Sequence, residues 1–169
     1  MLTETGIPTK EDLSAVIPAD ERFAKGPVAI VECFQEIPCN PCVDACGFRA
    51  ITMPKDINGL PEVDFDKCVG CGLCIAQCPG LAIFVVDKTH SPTHAHVRLP
   101  YEFIPAPEKG QWALGLDREG KEIGWFEVAR VVPGGAKNKT TVLWLAVPQE
   151  LSMNVRNISA GGFRDNGRA

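Results

Sequence analysis

Four cysteines lie close together near the middle of the chain, in the run Cys68-Val-Gly-Cys71-Gly-Leu-Cys74-Ile-Ala-Gln-Cys78-Pro79. Two residues separate each of the first three, so one tight backbone loop can bring three thiolates around a single iron–sulfur cube. The fourth cysteine opens a helix and points away, towards a second cube. Gly70 and Gly72 let the backbone pass close to the inorganic sulfides and aim its N–H groups at them. The spacing therefore indicates [4Fe–4S] binding.

Two other uses of clustered cysteines fit this sequence poorly. A zinc site usually pairs one Cys-x-x-Cys knuckle with a distant second one, whereas here three candidate ligands and a Cys-Pro stand in one run. A disulfide framework needs an oxidising compartment. The segment Met1–Pro18 has neither the basic start nor the apolar stretch of a signal peptide. We therefore expect reduced thiols and a cytoplasmic location.

A second cysteine run lies just upstream and reads Cys33-Phe-Gln-Glu-Ile-Pro-Cys39-Asn-Pro-Cys42-Val-Asp-Ala-Cys46-Gly47. Its last three cysteines have the same two-then-three spacing as the end of the later run. The residues that follow also repeat, since Cys46-Gly-Phe-Arg-Ala-Ile51 is similar to Cys78-Pro-Gly-Leu-Ala-Ile83. This pattern predicts an internal duplication in which each half is a loop, a short helix and a short strand.

Taken together, Cys33–Asp87 resembles the bacterial-type dicluster ferredoxins. The resemblance implies an α+β fold with pseudo-twofold symmetry, in which each half lends its last cysteine to the cluster of the other half. Carried over residue by residue, it implies two [4Fe–4S] clusters with four ligands each. The first cluster would take Cys39 and Cys42 from its own half and Cys78 from the other, and the second would take Cys68, Cys71 and Cys74 with Cys46 from the first half.

The sequence departs from the ferredoxin pattern at the first ligand. The regular position, three residues before Cys39, is Glu36, and the nearest thiol is Cys33. We interpret Cys33 as a displaced ligand on a longer loop, which brings the number of ligands to eight for two cubes. The alternative is that Cys33 is a packed strand residue, with a [3Fe–4S] cluster or a carboxylate ligand at the site. Gly47, in place of the usual proline, is a second departure that removes no ligand.

Charge is distributed unevenly along the sequence, whose formal net charge is −4. The segment Cys33–Asp87 carries seven acidic and three basic residues, whereas Val97–Ala169 carries eight acidic and ten basic ones. An acidic ferredoxin segment can steer docking onto basic partners. The chain has no basic stripe with interleaved aromatic residues, so we do not expect nucleic acid as a partner. No apolar run approaches the roughly 20 residues of a membrane helix, so we expect no membrane span.

The segments around the cysteines are predicted from local signals. Residues 1–32 form an N-terminal helical arm and the first strand: Thr9-Lys-Glu-Asp12 is a capping box, and Ala19–Lys25 can form a further helical turn. Val28–Phe34 is predicted as a strand that leads into the dicluster domain at residues 33–88. Residues 89–96 are predicted to be a linker that holds the histidines His90, His94 and His96. These could form a mononuclear metal site or an exposed polar connector.

Residues 97–169 are predicted to form a small antiparallel β module with a C-terminal tail. Strands are expected at Val97–Ile104, Gln111–Leu116, Glu122–Val132 and Lys139–Val147. A hairpin turn is expected at Asp117-Arg-Glu-Gly120, where the glycine suits a left-handed conformation. We expect a short closing helix at Glu150–Ile158 and a flexible tail at Gly161–Ala169. No nucleophile, base and orienting group can be picked out in this part of the sequence.

The extensions favour an electron-transfer subunit held inside a larger oxidoreductase, because a diffusing carrier needs only the cluster fold. The segment Glu32–Cys42 is similar to small dicluster subunits that accompany flavin-dependent amine or amino-acid dehydrogenases of anaerobic bacteria. That resemblance implies a flavoprotein dehydrogenase as partner, with FAD or FMN on that partner and not on this chain, and a second electron carrier. A free-standing soluble ferredoxin and a cluster-based redox sensor or enzyme are the alternatives. Eight cysteines used as ligands leave neither cluster an open iron for catalysis.

Overall fold

Three helices of about one turn each stand at the N-terminal end of the described structure. The computed structural model describes residues 2–136 and 138–165, and these helices are α1 (Leu2–Thr5), α2 (Lys10–Ser14) and α3 (Asp20–Phe23). The capping box predicted for α2 is confirmed. The Thr9 hydroxyl accepts the Asp12 N–H at 3.2 Å, and the Asp12 carboxylate accepts the Thr9 N–H at 2.8 Å. Two otherwise unpaired N–H groups at the helix start are satisfied in this way.

The cysteine-bearing region alternates short helices with short strands. The elements are β1 (Val28–Val31), α4 (Pro41–Ala45), β2 (Ile51–Thr52), β3 (Glu62–Val63), α5 (Leu73–Gln77) and β4 (Ile83–Asp87). β1 pairs antiparallel with β4, so that Val28 faces Val86 and Val31 faces Ile83. β2 pairs antiparallel with β3 in a separate two-stranded sheet.

The rest of the described chain consists almost entirely of strands. These are β5 (His94–Tyr101), β6 (Trp112–Leu116), β7 (Glu122–Val132), β8 (Thr141–Pro148) and β9 (Asn157–Arg164). The turn predicted at Asp117–Gly120 is confirmed: Gly120 has φ +79°, and its N–H donates to the Asp117 carbonyl at 3.1 Å. This glycine has the left-handed backbone that other residues rarely adopt.

One seven-stranded antiparallel sheet runs through both the cysteine-bearing region and the C-terminal part. Its strand order is β1-β4-β5-β8-β7-β6-β9. β4 is the shared strand, since it pairs with β1 on one side and with β5 on the other. The fold is therefore mostly sheet with a few short helices, and the strand that follows the last cysteine is also the strand on which the C-terminal part is built.

β1 is buried on both of its faces, which explains its unbroken apolar sequence Val-Ala-Ile-Val. Ala29 and Val31 pack with the cysteine-bearing helices, in a hydrophobic core that also contains Ile75 and Ile83. The side chains on the other face pack against Phe23 of α3. A larger hydrophobic core is formed by side chains of the five strands β5 to β9, together with Phe84 of β4. The cysteines are thus attached to a strand that is covered on both sides.

Two features differ from the sequence-based expectations for the C-terminal part. β5 begins at His94 rather than at Val97, because Ala95 is fully buried and pairs with Val147 of β8. The helix expected at Glu150–Ile158 is wrong beyond a single 3₁₀ turn at Gln149–Leu151. After this turn the Arg156 side chain forms a buried ion pair with Glu32, and β9 begins at the next residue.

The tail expected at Gly161–Ala169 is in part a strand, since β9 continues to Arg164 and pairs with β6. The remainder of that predicted tail, residues 166–169, lies outside the described residues. Met1 of the predicted arm and residue 137 of the predicted turn before β8 lie outside them as well. Across the part of the chain that the structure describes, every helix is too short or too polar to span a bilayer.

Candidate iron–sulfur sites

The loop Cys68–Gly72 depends on two glycines with left-handed backbone. Gly70 has φ +62° and Gly72 has φ +84°. A Cβ on Gly70 would lie 2.5 Å from the backbone of Pro27, so no side chain fits there. We expected glycine at position 70 because the backbone must pass close to inorganic sulfides. The structure gives a further reason, since Pro27 occupies the space that a Cβ of residue 70 would need. The backbone conformation is what lets three cysteines leave one short loop.

Each of the two short helices carries one buried cysteine inside it and ends at another. Cys42 of α4 and Cys74 of α5 are both 7% exposed. Cys46 follows α4 and Cys78 follows α5, so the expectation that Cys78 opens a helix is wrong. The N–H of each cysteine donates back to a carbonyl of its own helix. The two helices therefore present matching pairs of thiols with the same spacing along the sequence.

The backbone after Cys46 matches the backbone after Cys78. Arg49 and Leu81, each three residues beyond its cysteine, have the same φ of +52° although neither is glycine. The next residue in each segment donates its N–H to the cysteine sulfur: Ala50 to Cys46 at 3.2 Å, and Ala82 to Cys78 at 3.4 Å. A left-handed residue in the same place of both segments aims an N–H at the sulfur. Such bonds stabilise a thiolate that ligates a cluster.

The structure divides the eight cysteines between two cavities. The first is lined by Cys33, Cys39, Cys42 and Cys78, together with apolar side chains that include Val31, Met53 and Ile83. The second is lined by Cys46, Cys68, Cys71 and Cys74, together with apolar side chains that include Phe48, Ile51 and Leu73. Each cavity receives one cysteine from the other half of the duplication. Four thiols in an apolar shell are the donor set that a [4Fe–4S] cube requires, so the residues fit that group.

Cys33 lies in the first cavity, whereas Glu36 does not line it. Glu36 is exposed, and Cys33 is half-buried shortly after β1. The longer loop thus brings the displaced thiol, and not the carboxylate at the regular ligand position, to the other three cysteines. The free cysteines of the protein are these eight, and all belong to the two cavities.

The pKa values of the cavity thiols reflect both burial and the neighbouring cysteines. Burial raises the pKa of Cys42 to about 11, and the nearby charges of Cys78 and Cys33 add to this effect. Burial raises the pKa of Cys74 to about 12, with further contributions from Cys68, Cys71 and Cys46. The neighbours belong to the same cavity in both cases. Bound iron must therefore displace protons from thiols that would otherwise keep them.

Two arginines donate to the backbone of the loop around the second cavity. Arg22 of α3 donates to the carbonyl of Cys68 at 2.6 Å, and to the carbonyl of Phe65 at the same distance. Arg98 of β5 donates to the carbonyl of Gly70 at 2.6 Å and lies with its guanidinium 3.8 Å from the ring centre of Trp144. Neither arginine is among the residues predicted from the sequence. The signal for Arg98 is a charged residue inside an apolar strand, where burial of a charge requires a partner.

A buried ion-pair network joins the C-terminal part to the residue before Cys33. The Glu32 carboxylate accepts two hydrogen bonds from Arg118, at 2.6 and 2.8 Å, and one from Arg156 at 2.8 Å. The side chains of Glu32 and Arg156 are 7% and 4% exposed. Burial opposes ionisation of Glu32, but the two arginines outweigh it and hold its pKa below the ordinary value. The sequence analysis did not identify this network, because its members are far apart in the sequence.

His94 and His96 belong to β5, whereas His90 is exposed in the connection between β4 and β5. The rings of His90 and His96 stack at 3.5 Å, and His96 contacts the edge of Trp144 at 5.9 Å. Burial, and the neighbouring His90, hold the pKa of His96 below its ordinary value. Among the described residues, these histidines belong to no group of three His, Cys, Asp or Glu side chains that could hold a metal ion. The rings of His90 and His96 thus pack beside the sheet, and His94 is exposed at the start of β5.

Around the second cavity the surface is apolar and one cysteine is open to solvent. Cys71 is exposed, in contrast to the buried Cys74. Near it, Phe48, Val69 and Leu73 are 52%, 47% and 62% exposed. These three side chains, together with Cys71, are called the Cys71 rim below. Large apolar side chains that stay exposed as a group are typical of interaction sites.

Comparison with known proteins identifies the cysteine-bearing region. Residues 37–82 match the family described as "4Fe-4S dicluster domain". This segment contains every cysteine except Cys33. The iron–sulfur signature predicted from cysteine spacing is thereby confirmed for residues 37–82, the segment that matches the 4Fe–4S dicluster domain.

Several curated proteins are similar to this part of the sequence. Ferredoxin-type protein NapF of Escherichia coli (strain K12) is 33% identical over 79 residues, which are 46% of this chain and 44% of that protein. A polysulfide reductase component of Wolinella succinogenes is 42% identical over 52 residues, 31% of this chain and 26% of that protein. A selenate reductase component of Mesobacillus selenatarsenatis is 34% identical over 71 residues, which are 41% of this chain and 23% of that protein. The matched region thus spans less than half the length of these relatives. No solved structure was found to match the chain.

Proposed function

We propose that this chain is an iron–sulfur electron-transfer subunit that holds two [4Fe–4S] clusters. The observation that carries this proposal is the division of eight cysteines into two apolar cavities with four thiols each. Four thiolates are the usual ligand set of one cube, so both cavities have the full number. Bound there, the clusters would supply one-electron oxidation and reduction.

The proposed ligands follow the two cavities. Cys33, Cys39, Cys42 and Cys78 would hold the first cluster, and Cys46, Cys68, Cys71 and Cys74 the second. The matching backbone around Cys46 and Cys78 supports a pseudo-twofold arrangement of the two halves. In this proposal residues 33–88 form the dicluster unit, and residues 1–32 form an N-terminal arm and the first strand. Residues 97–169 would form a β module that extends its sheet, and residues 89–96 join the two parts, with the last three already in β5.

The protein's own residues would exclude water from the clusters and admit a partner at one side. The apolar linings of both cavities keep solvent away from the thiolates, which controls the potential of a cluster. The Cys71 rim supports an approach by another electron carrier, because Cys71 itself is exposed there. An apolar contact surface around a ligand brings the two redox groups close together without an intervening water layer.

A larger oxidoreductase complex is the proposed setting. Three observations support it: the sheet that extends well beyond the dicluster unit, the reductase names of the relatives, and the resemblance of Glu32–Cys42 to subunits of flavin-dependent amine or amino-acid dehydrogenases. The proposed partners are a flavoprotein dehydrogenase with FAD or FMN and a second electron carrier. A flavin accepts two electrons from an organic substrate and releases them singly, which matches one-electron clusters.

The proposed location is the cytoplasm. All eight cysteines are free in the structure. Cluster assembly needs them as thiolates, and a reducing compartment preserves that state. The proposal treats the protein as an electron carrier without catalysis of its own, since four cysteines per cluster leave no iron open.

Anaerobic purification of the native protein from its own cells tests the setting. We expect a stable complex with a flavin-containing protein, seen as flavin absorbance that co-elutes with the iron–sulfur absorbance. A monomer with both clusters and no stable partner would contradict the complex and favour the free-standing ferredoxin. A protein whose two clusters change oxidation state with the surroundings, but pass no electrons to any carrier, would favour the redox sensor.

A further inference from the structure

Arg98 is a buried cation without an ion-pair partner among the described residues. Its side chain rises from β5, where it faces Val85 on one neighbouring strand and Trp144 on the other. The residue is only 8% exposed. Its Nη1 donates to the carbonyls of Gly70 and Cys71, at 2.6 and 3.5 Å, and its Nε has no hydrogen-bond partner. A charge buried in this way is costly unless a negative group lies nearby.

The contrast with Arg156 makes this clear. Arg156 is similarly buried, at 6% exposed, but it donates to the Glu32 carboxylate at 2.8 Å. No salt bridge of the described residues includes Arg98. The negative charge of Asp87 on β4 attracts Arg98, but the two form no ion pair. The Asp87 carboxylate accepts hydrogen bonds from Thr89 instead. What lies directly against the guanidinium is the loop around the second cavity.

Packing holds the Arg98 guanidinium in place against that loop. The ring of Trp144 lies 3.8 Å from it on one side. A Cβ built on Gly72 would lie 3.8 Å from Nη1 of Arg98. A guanidinium stacked on tryptophan is stabilised electrostatically as well as by contact. The charge is therefore fixed beside Gly70, Cys71 and Gly72, all of which line the second cavity.

The loop of the first cavity differs, since the part of the chain that the structure describes places no equivalent cation on it. Among the described residues, no arginine donates to the backbone between Cys33 and Cys42, and the arginines near Cys33 are bound to the Glu32 carboxylate. Arg22 does reach the carbonyl of Cys68 at the second cavity. It is half-buried, however, so solvent screens its charge more than that of Arg98.

We propose that Arg98 sets the reduction potential of the cluster held by Cys46, Cys68, Cys71 and Cys74, and raises it. This inference rests on the proposed function, since it requires that cluster. An electron accepted from a partner's reduced carrier makes the cluster more negative by one unit, and no bond or proton changes. A fixed cation nearby stabilises the reduced form more than the oxidised form. The cluster in turn supplies the negative charge that the buried guanidinium lacks elsewhere.

An anaerobic redox titration of the full-length protein, followed by electron paramagnetic resonance, tests the role of Arg98. Arg98→Gln keeps a hydrogen-bond donor and removes the charge, whereas Arg98→Lys keeps the charge. Arg130→Gln is the matched control, because Arg130 lies 5.1 Å from the same Trp144 ring but has no hydrogen bond to the loop. The signal of the second cluster is assigned as the one that a Cys71→Ser variant changes.

In Arg98→Gln we expect the reduced-to-oxidised ratio of the second cluster to fall about tenfold at a fixed potential, a shift of about 59 mV for one electron. Arg98→Lys should restore most of that ratio, and Arg130→Gln should leave it unchanged. The first cluster should titrate as in the wild type in all three variants. Unchanged titration of Arg98→Gln with both clusters present would overturn the inference, and so would loss of the second cluster, which would make Arg98 a structural anchor. Wild-type protein without iron would instead overturn the proposed function itself.

Discussion

At the scale of single residues, the dicluster region is held by polar contacts that reach it from distant parts of the sequence. Glu32 stands directly before Cys33 and is the one carboxylate that binds both Arg118 and Arg156 among the described residues. A buried pair of this kind contributes little compared with a well-packed apolar replacement. Removal of one member, however, leaves an uncompensated buried charge. A substitution of Glu32 should therefore lower the free energy of unfolding strongly.

Glu32→Gln should lower the free energy of unfolding by about 3 kcal/mol, because two arginines lose their counter-charge. The folded-state pKa of Glu32 is lowered from 4.5. Its ionised form therefore stabilises the fold above that pH, and the contribution is lost as the pH falls through the folded-state pKa. Anaerobic urea unfolding followed by circular dichroism measures the difference between the two proteins, which should shrink below about pH 4.5.

The exposed Glu36 provides the control for Glu32. Glu36→Gln should change the free energy of unfolding by no more than about 0.5 kcal/mol. Equal effects of the two substitutions would contradict the role given to the buried network. Loss of a cluster in Glu36→Gln would show instead that this carboxylate is a ligand.

Cys33→Ala should disturb the first cluster alone. The other ligands of that cluster, Cys39, Cys42 and Cys78, remain, but one iron loses its thiolate. Electron paramagnetic resonance of the reduced protein should lose or alter one of the two signals. Cys71→Ala is the reciprocal control and should change the other signal. If both signals survive unchanged in Cys33→Ala, Cys33 is a structural residue and Glu36 must be reconsidered as a ligand.

At the scale of elements, two short helices and two tight loops place the thiols, and neither helix could be stable alone. Each has five residues, far fewer than an isolated helix needs. They are held because Cys42, Cys74 and Ile75 pack against β1 and β4. The loop before α5 in addition requires the left-handed Gly70, which lies against Pro27. The site therefore depends on backbone geometry as much as on the cysteines.

Gly70→Ala should remove the second cluster and leave the first. An alanine would have φ near +62° and a Cβ 2.5 Å from Pro27, so the loop must move away from the position in which it lines the cavity. Iron analysis should fall from about eight to about four per polypeptide. Gly47→Ala is the matched control, since nothing lies within 4 Å of its Cβ position. Full iron content in Gly70→Ala would contradict the geometric account.

Local signals in the sequence were enough for part of this architecture. The capping box at Thr9, the hairpin turn at Gly120 and the iron–sulfur signature each depend on residues within a short window, so spacing alone predicted them. The helix expected at Glu150–Ile158 was wrong, because the last residues of that segment, Asn157 and Ile158, belong to β9 and pair with the distant strand β6. The contact of Arg98 with Gly70 likewise joins residues far apart in the sequence. Such contacts follow from sheet topology, which periodicity does not encode.

At the scale of the whole molecule, the dicluster region and the C-terminal strands share one sheet. β4 follows the last cysteine, Cys78, and pairs with β1 on one side and with β5 on the other. Phe84 of β4 belongs to the hydrophobic core of the C-terminal strands, while its neighbours Ile83 and Val85 belong to the core of the cysteine helices. Side chains that alternate along one strand thus connect the two cores. The C-terminal part braces the cluster region as well as extending its surface.

The central claim, that this fold holds two [4Fe–4S] clusters on eight cysteines, is tested most directly by anaerobic analysis of iron and acid-labile sulfide. Protein purified without oxygen should contain about eight irons and about eight sulfides per polypeptide, two cubes of four. The same sample should contain no stoichiometric zinc. About four irons per polypeptide, or zinc in place of iron, would contradict the account.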